Sequence, residues 1–302
     1  MSSTLQLRVN ERALIQNLRL AFSSEKETWI KELLQNSRRA GASAIYITVE
    51  PGTSTITFED DGCGLRDLQN ILTIAESGWS EDLLDSEKPY GMGFLSALFA
   101  AKEITIASHG KMVTFDTDAI LDFQDVEVSL SQKSVYSTTI ILSGVTHLPD
   151  QRRLENLVRG FSVPVFFNGQ ELDRPCAVDQ MQFVKTEVGL VSLDTHQDTT
   201  WYLQGFPIHT WHVGGGSDIV HLDSRKFVGR LPDRQQLENF SEVYPFVQQA
   251  IDDLHEDFLR RRCEVAIQEE NWDFFHRNAW HILNNKRLRP ILNQLDFLPN
   301  TL

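Results

Sequence analysis

Glu32 and Asn36 are the first two residues whose types and spacing could do chemistry. They stand four positions apart in a predicted helix, so their side chains share one helical face. A carboxylate can orient and deprotonate a water molecule, and a neighbouring amide oxygen can bind Mg²⁺, which prefers hard oxygen ligands. Because Glu-x-x-x-Asn occurs by chance about once in a chain of this length, the pair alone equally indicates a solvated helix face.

The segment 60–64, Asp-Asp-Gly-Cys-Gly, follows a predicted strand and could bind a flat ligand. Its glycines, Gly62 and Gly64, would allow a tight turn and a close approach of the backbone to that ligand. Asp60 would point into the pocket and could accept a hydrogen bond from an exocyclic amine. Taken alone, the segment is also typical of an acidic turn.

Two further segments complete the set. The segment 90–96 is Tyr-Gly-Met-Gly-Phe-Leu-Ser, and its two glycines precede a small apolar helix predicted over 93–101. Free amides at the start of a helix could hold phosphate, helped by the helix dipole, although an ordinary glycine-rich helix entry has the same pattern. The segment 137–140, Ser-Thr-Thr-Ile, opens a predicted strand.

In that order and at those separations, the four segments resemble the GHKL ATP-binding fold, which gyrase B, MutL, histidine kinases and the ninety-kilodalton heat-shock chaperones share. The resemblance covers about residues 5–145 and is closest to the chaperones' N-terminal and partial middle domains, through residues 24–37 and 73–78. It implies a Bergerat-type α/β sandwich that binds ATP and Mg²⁺ and hydrolyses ATP slowly.

The resemblance also implies a role for each matching residue. Glu32 would be the general base for the attacking water, and Asn36 would bind Mg²⁺. The other binding residues would be Asp60 at the adenine amine, Gly62 and Gly64 at the adenine floor, Gly91, Gly93 and Phe94 at the phosphates, and Thr138 in support of Asp60. Residues 78–90 would form the ATP lid, and their polar, turn-rich composition predicts a loop.

Two positions depart from the family pattern. Three residues after the Mg²⁺-binding Asn the family often has an acid, whereas this chain has Arg39. The arginine predicts either a changed polarity on the substrate side or a salt bridge. The lid has few glycines before Tyr90 and instead carries Lys88, which could contact phosphate.

An α+β chain of two domains is expected to position these residues, since 302 residues at roughly 100–200 per domain suggest two. Residues 1–147 would form the ATP-binding domain, and residues 148–302 an S5-like α/β transducer domain with a helical tail. Residues 230–237 look like the chaperone segment that carries an ATP-contacting arginine, which implies Arg234 in that role. Lys226 is the second choice, and a plain surface position for Arg234 is the alternative.

Composition limits the partners. With 28 Lys+Arg against 42 Asp+Glu, the net charge is −14, which argues against a basic nucleic-acid clamp. No segment reaches 18 consecutive apolar residues, so the sequence predicts no membrane span. The three cysteines show no Cys-x-x-Cys spacing, which favours a reducing cytoplasm over a disulfide framework.

Three functions stay open at this point. The first is a chaperone-like ATPase whose cycle involves lid closure and, by analogy, homodimerisation. The second is a module in which ATP switches a protein-interaction surface with little or no hydrolysis. The third is a MutL- or topoisomerase-like ATPase that acts with DNA. Because 302 residues leave no room for a complete chaperone, the effector is expected to be another protein.

Overall fold

Two β-sheets with helices packed against them form the described part of the chain, which confirms the α+β class expected from the sequence. The computed structural model describes residues 5–22, 28–74, 79–87, 91, 93–130, 137–193, 198–211, 217–230, 236–284 and 290–291. The α-helices of these ranges are α1 (Glu11–Phe22), α2 (Thr28–Arg39), α3 (Gln69–Leu72), α4 (Glu81–Glu87), α5 (Gly93–Ala100), α6 (Thr117–Leu121), α7 (Gln151–Val158), α8 (Phe240–Gln268) and α9 (Trp272–Asn284).

The first sheet has eight strands among the described residues, in the order β5-β4-β3-β6-β2-β1-β7-β8. These strands are β1 (Ile45–Glu50), β2 (Thr55–Asp60), β3 (Glu103–Ser108), β4 (Lys111–Asp116), β5 (Ser129–Leu130), β6 (Thr138–Ser143), β7 (Val165–Phe167) and β8 (Gln170–Glu171). Neighbouring strands run antiparallel except β1 and β7, which run parallel.

Side-chain alternation explains how this sheet is covered. In β1, Ile45 and Ile47 are buried while Tyr46 and Thr48 are exposed, so one face of the sheet is apolar. Helices α2 and α5 pack in the same core, and Leu34 of α2 is fully buried there. Burying a leucine side chain stabilises the fold by about 1.5–3 kcal/mol, so this apolar layer fixes the position of α2.

The first sheet extends past the expected domain boundary. Strands β7 and β8 lie C-terminal to residue 147, yet β7 pairs with β1 from Ile45↔Val165 to Ile47↔Phe167. The division into residues 1–147 and 148–302 stays a prediction, and the first sheet draws strands from both ranges.

The second sheet contains five strands in the described ranges, in the order β12-β11-β13-β10-β9. They are β9 (Val184–Thr186), β10 (Gly189–Ser192), β11 (Thr199–Leu203), β12 (Phe206–Trp211) and β13 (Ile219–Leu222). Val247 and Ile251 of α8 pack against this sheet with Trp201 and Val220 in one core. Helix α9 forms a separate core with the end of α8, so the expected helical tail is confirmed.

The expectation of a loop over residues 78–90 is wrong for residues 81–87, which form α4. Glu81 and Asp82 lie in the first turn, where carboxylates interact favourably with the helix dipole and stabilise the helix. The backbone amides of Leu83 and Leu84 both donate to the carbonyl of Ser80. The polar residues therefore begin a helix. Residues 78 and 88–90 lie outside the described ranges.

None of the described helices combines the length and the apolar character that crossing a membrane requires.

Candidate functional site

Helix α2 presents Glu32 to the first residue of α5. Glu32 is buried, and its carboxylate lies against Gly93, where a Cβ atom would overlap Oε2 of the glutamate. Only glycine therefore fits at position 93 in this arrangement. The structure thus brings the Glu32 carboxylate against Gly93, one of the two glycines that the sequence predicts at the phosphates. Asn36 follows Glu32 by one helical turn.

Asp60 ends β2 and is buried beside α2. Its carboxylate accepts hydrogen bonds from Ser37 Oγ at 2.9 Å and from the backbone N–H of Gly62 at 3.0 Å. Burial raises the pKa of Asp60 and the charge of Asp61 adds to that rise, whereas the bonds from Ser37 and Gly62 offset it only in part. Thr138, the remaining residue predicted here, is buried and pairs directly with Asp60 across β2 and β6.

The glycines after Asp60 let its loop fit between two other elements. At Gly62 a Cβ would lie 2.8 Å from Cβ of Ala40, next to the point where the N–H of Cys63 donates to the Ala40 carbonyl at 2.8 Å. Gly64 has a φ of +72°, and a Cβ there would lie 2.7 Å from Ser108 Oγ. The loop is thus wedged between the end of α2 and the turn after β3, which fixes the position of Asp60.

Asp61, the second acid of this segment, has a structural role. It accepts hydrogen bonds from the backbone N–H of Ser43 at 2.7 Å and of Ala44 at 3.0 Å, and also from the Ser43 hydroxyl. Burial opposes ionisation, but these bonds outweigh it and lower the pKa of Asp61. The two adjacent carboxylates therefore differ: Asp61 anchors the chain before β1, and Asp60 lies at the candidate site.

Arg39 makes the salt bridge that was one of its two expected roles. Its Nε lies 2.8 Å from Oε2 of Glu87, and Nη2 of Arg38 lies 2.6 Å from the same oxygen. Burial raises the pKa of Glu87, but the charges and hydrogen bonds of Arg38 and Arg39 outweigh this and hold it below its ordinary value. A carboxylate from α4 thus compensates the arginine that stands where the family often has an acid.

Gln204, in the turn between β11 and β12, is a site neighbour that the sequence analysis missed. Its Nε2 donates to the backbone carbonyl of Glu87 at 3.1 Å, and its Oε1 accepts from Nε2 of Gln35 at 2.5 Å. The one available signal is local: a two-residue hairpin turn favours Asn-Gly, and here the pair is Gln204-Gly205. That signal marks an unusual turn residue and says nothing about its distant partners.

The other predicted residues take varied positions. Phe94 is buried in the first turn of α5, and Gly91 has a φ of +64°. Lys226 donates from Nζ to the backbone carbonyl of Glu187, between β9 and β10, at 2.6 Å. Lys88 and Arg234 lie outside the described ranges.

The donors near Glu32 suit Mg²⁺ bound mainly through a substrate. Within the described ranges, no group of three or more His, Cys, Asp or Glu side chains could hold a metal ion. Mg²⁺ commonly takes one or two protein oxygens and completes its octahedron with water and substrate phosphates. Asn36, half-buried one helical turn after Glu32, carries an amide oxygen of this kind, which here accepts from Nη1 of Arg39 at 3.3 Å.

One segment of the chain is similar to known proteins. Residues 23–143 match the model of the family described as "Histidine kinase-, DNA gyrase B-, and HSP90-like ATPase". The DNA mismatch repair protein MutL of Haemophilus influenzae (strain PittEE) is 30% identical over 112 residues, which are 35% of this chain and 18% of that protein. MutL of Salmonella arizonae is 27% identical over 133 residues, covering 41% of this chain and 22% of the relative.

The matched segments span about a fifth of the length of these relatives. The heat-shock chaperones enter the comparison only through the description of the family, while the curated relatives named above are mismatch repair proteins. The similarity therefore supports an ATPase-type domain, and it gives no preference to the chaperones.

Proposed function

We propose that this chain, whose residues 23–143 belong to the GHKL ATPase superfamily, binds ATP with Mg²⁺ and hydrolyses it to drive a conformational cycle. The observation that carries the proposal is the contact between Glu32 and Gly93. It sets a carboxylate against the glycine-containing start of a helix, where backbone amides favour phosphate.

Asp60 is proposed to hold the adenine amine. A buried carboxylate is costly unless it accepts hydrogen bonds, and Asp60 accepts from Ser37 and Gly62 while retaining lone pairs for another donor. Thr138 would support Asp60, and Gly62 and Gly64 would form the floor under the base. Their close contacts with Ala40 and Ser108 keep that floor in place.

Glu32 is proposed to act as general base at the phosphate end. Its Oε2 would take a proton from the attacking water, while Gly91, Gly93 and Phe94 would present backbone N–H groups to phosphate oxygens. Asn36 would hold Mg²⁺ through its amide oxygen, and the metal would neutralise phosphate charge when bound. Lys88 and Arg234 are proposed as additional cations for the phosphates.

Residues 78–90, which include α4, are proposed as the nucleotide lid, and residues 148–302 as an S5-like transducer that receives its movement. A protein effector belongs to this proposal. So does homodimerisation through the first domain, which sedimentation with a non-hydrolysable ATP analogue tests. A sedimentation coefficient that stays that of a monomer at saturating analogue would remove the dimer from the proposal.

Phosphate release tests the catalytic assignment. Glu32→Ala should lose hydrolysis and keep ATP binding, whereas Glu103→Ala, which changes an exposed glutamate at the start of β3, should keep both. Normal turnover in Glu32→Ala would overturn the role of Glu32. Tight ATP binding without phosphate release by the unmodified protein, even with partners added, would replace hydrolysis by an ATP-switched interaction module.

A DNA-associated ATPase is the second candidate, because a segment of 112 residues is 30% identical to a DNA mismatch repair protein. The net charge of −14 argues against this candidate, because binding to DNA phosphates needs clustered Lys and Arg and this chain has more acidic than basic residues. Fluorescence anisotropy with duplex and single-stranded DNA, repeated over a salt series, decides between them. Affinity that falls steeply with salt supports this candidate, and absence of binding at low salt excludes it.

A further inference from the structure

Four residues from three elements form a closed ring of hydrogen bonds, which we name the Glu87 latch: Gln35, Arg39, Glu87 and Gln204. Gln204 bonds to Gln35 at 2.5 Å, Gln35 accepts from Arg39 Nη2 at 3.3 Å, and Arg39 bonds to the Glu87 carboxylate at 2.8 Å. Gln204 closes the ring on the Glu87 carbonyl at 3.1 Å. The ring therefore ties α2, α4 and the β11–β12 hairpin together.

We propose that the Glu87 latch holds α4 on α2 in the nucleotide-free protein, and that binding of a Mg²⁺-nucleotide at Asn36 competes with it. The competition rests on the function proposed above, because it needs a nucleotide at that site. The latch itself is a property of the fold and can be tested without one.

Asn36 is the point where latch and ligand meet. Nη1 of Arg39 lies 3.3 Å from Oδ1 of Asn36, so the oxygen proposed for Mg²⁺ accepts from a guanidinium in this arrangement. A divalent cation beside that guanidinium would meet strong like-charge repulsion. Arg39 must therefore move for Asn36 to take the metal, and its bond to Glu87 resists the movement.

Burial makes this resistance larger than that of an ordinary surface ion pair. The side chains of Arg39 and Glu87 are only 2% and 10% exposed, and Arg38, the second arginine on Glu87, is 22% exposed. Screening by water and salt is weak for such groups, and removing Glu87 would deprive both arginines of this carboxylate. The latch is thus strong enough to bias the position of α4.

The backbone of Gln204 supports a role for its long side chain. Gln204 and Gly205 have φ values of +55° and +86°, a conformation in which a two-residue turn favours Asn-Gly. Glutamine adopts the left-handed region with difficulty, so an asparagine would suit the turn better. The extra methylene of glutamine supplies reach to Gln35 and to the Glu87 carbonyl, and this reach couples the second sheet to α4.

This conformation yields a clean test variant, Gln204→Asn, which favours the turn and shortens the side chain. Glu87→Gln is the second variant, because it keeps the shape and removes the charge. Exposed residues of the same types provide the matched controls: Gln170→Asn in β8 and Glu127→Gln in the segment before β5. All four are made in the full chain.

Hydrogen exchange of residues 79–87 without nucleotide measures the latch. We expect exchange to be about three- to tenfold faster in Gln204→Asn and Glu87→Gln, because opening of α4 becomes easier, and unchanged in both controls. Calorimetry with a Mg²⁺-bound, non-hydrolysable ATP analogue measures the competition. Here we expect both latch variants to bind the analogue about three- to tenfold more tightly than the unmodified protein. The reason is that a smaller fraction of the variant protein is in the latched arrangement, which the nucleotide must open.

The outcomes separate the two claims. Unchanged exchange in both latch variants would show that there is no latch, whatever the nucleotide does. Faster exchange with unchanged or weaker nucleotide affinity would overturn the competition at Asn36. If the unmodified protein binds no nucleotide, the proposed function and the competition fail together, and the exchange rates still decide whether Glu87 and Gln204 hold α4.

Discussion

The carboxylate of Glu32 in α2 occupies the space that a Cβ at Gly93, the first residue of α5, would need. The start of α5 therefore lies directly against the Glu32 carboxylate. A general base must lie within hydrogen-bond reach of its water, so the precision of this contact bears directly on the proposed turnover.

Gly93→Ala should therefore impair catalysis. The added methyl group displaces the Glu32 carboxylate, and we expect turnover to fall by about ten- to a hundredfold. Gly52→Ala is the matched control, because a Cβ at Gly52 would have no neighbouring atom within 4 Å in the described part of the chain. Steady-state phosphate release measures both, and a Gly93→Ala protein with unchanged turnover would contradict the proposed position of the base.

Nucleotide affinity should depend on pH through Asp60. The proposed hydrogen bond from the adenine amine is stronger to an ionised carboxylate than to a neutral carboxyl group. Because burial raises the pKa of Asp60, affinity should fall as the pH drops through that raised value. Ser37→Ala removes a hydrogen bond that favours the ionised form. We expect the acid limb of ADP affinity to move to higher pH by about half a unit to one unit.

The measurement is the ADP dissociation constant from neutral to acid pH in both proteins. Ser43→Ala is the control, since it removes a hydrogen bond from Asp61 and leaves Asp60 its own partners. An acid limb that stays in place in Ser37→Ala would argue against Asp60 as the titrating group.

Glu87 should contribute to stability at neutral pH. Its pKa is lower in the folded protein than the value of 4.5 expected without its partners, so its contribution is complete above 4.5 and is lost as the pH falls through the folded pKa. Glu87→Gln should cost about 1–3 kcal/mol of unfolding free energy near neutral pH and much less in acid. Denaturant titrations at several pH values, with the exposed Glu127→Gln as control, measure this difference. An equal cost at every pH would refute the ionic contribution.

Phe275→Ala should loosen the helical tail without affecting the nucleotide site. Phe275 is fully buried in a cluster with Cys263, Ala266, Phe274, Ile282 and Ile291, which is separate from the core around α2. The cavity should cost about 3–5 kcal/mol locally. Calorimetric scans should show an early transition of the tail, with ADP affinity preserved. A loss of affinity equal to that of Asp60→Ala would show that the two cores are coupled.

Much of the candidate site could be predicted because its logic is local. The spacing of Glu32 and Asn36 on α2 and the glycines after Asp60 follow from helical periodicity and turn geometry, which act over a few residues. Helix α4 was missed because its leucines are few and its polar residues resemble a loop, although Glu81 and Asp82 suit a helix start.

The partners of Arg39 could not be predicted in the same way. A charge that breaks the family pattern indicates a compensating charge somewhere, and here the carboxylate is 48 residues away at Glu87. Gln204 lies 117 residues beyond Glu87, in the turn between β11 and β12 of the second sheet. Contacts of this kind depend on how whole elements pack, and no pattern in a short window carries that information.

The parallel pairing of β1 with β7 limits where the chain can be cut to isolate the proposed ATP-binding domain. A protein cut after residue 147 would lose β7 and leave β1 as an open edge, with the amide of Ile45 deprived of its bond to the Pro164 carbonyl. Buried Val165 and Phe167 would be removed from the same core. Open edges beside apolar surface recruit other chains, so the shortened protein should precipitate or form aggregates, and a soluble fragment should extend at least through β8.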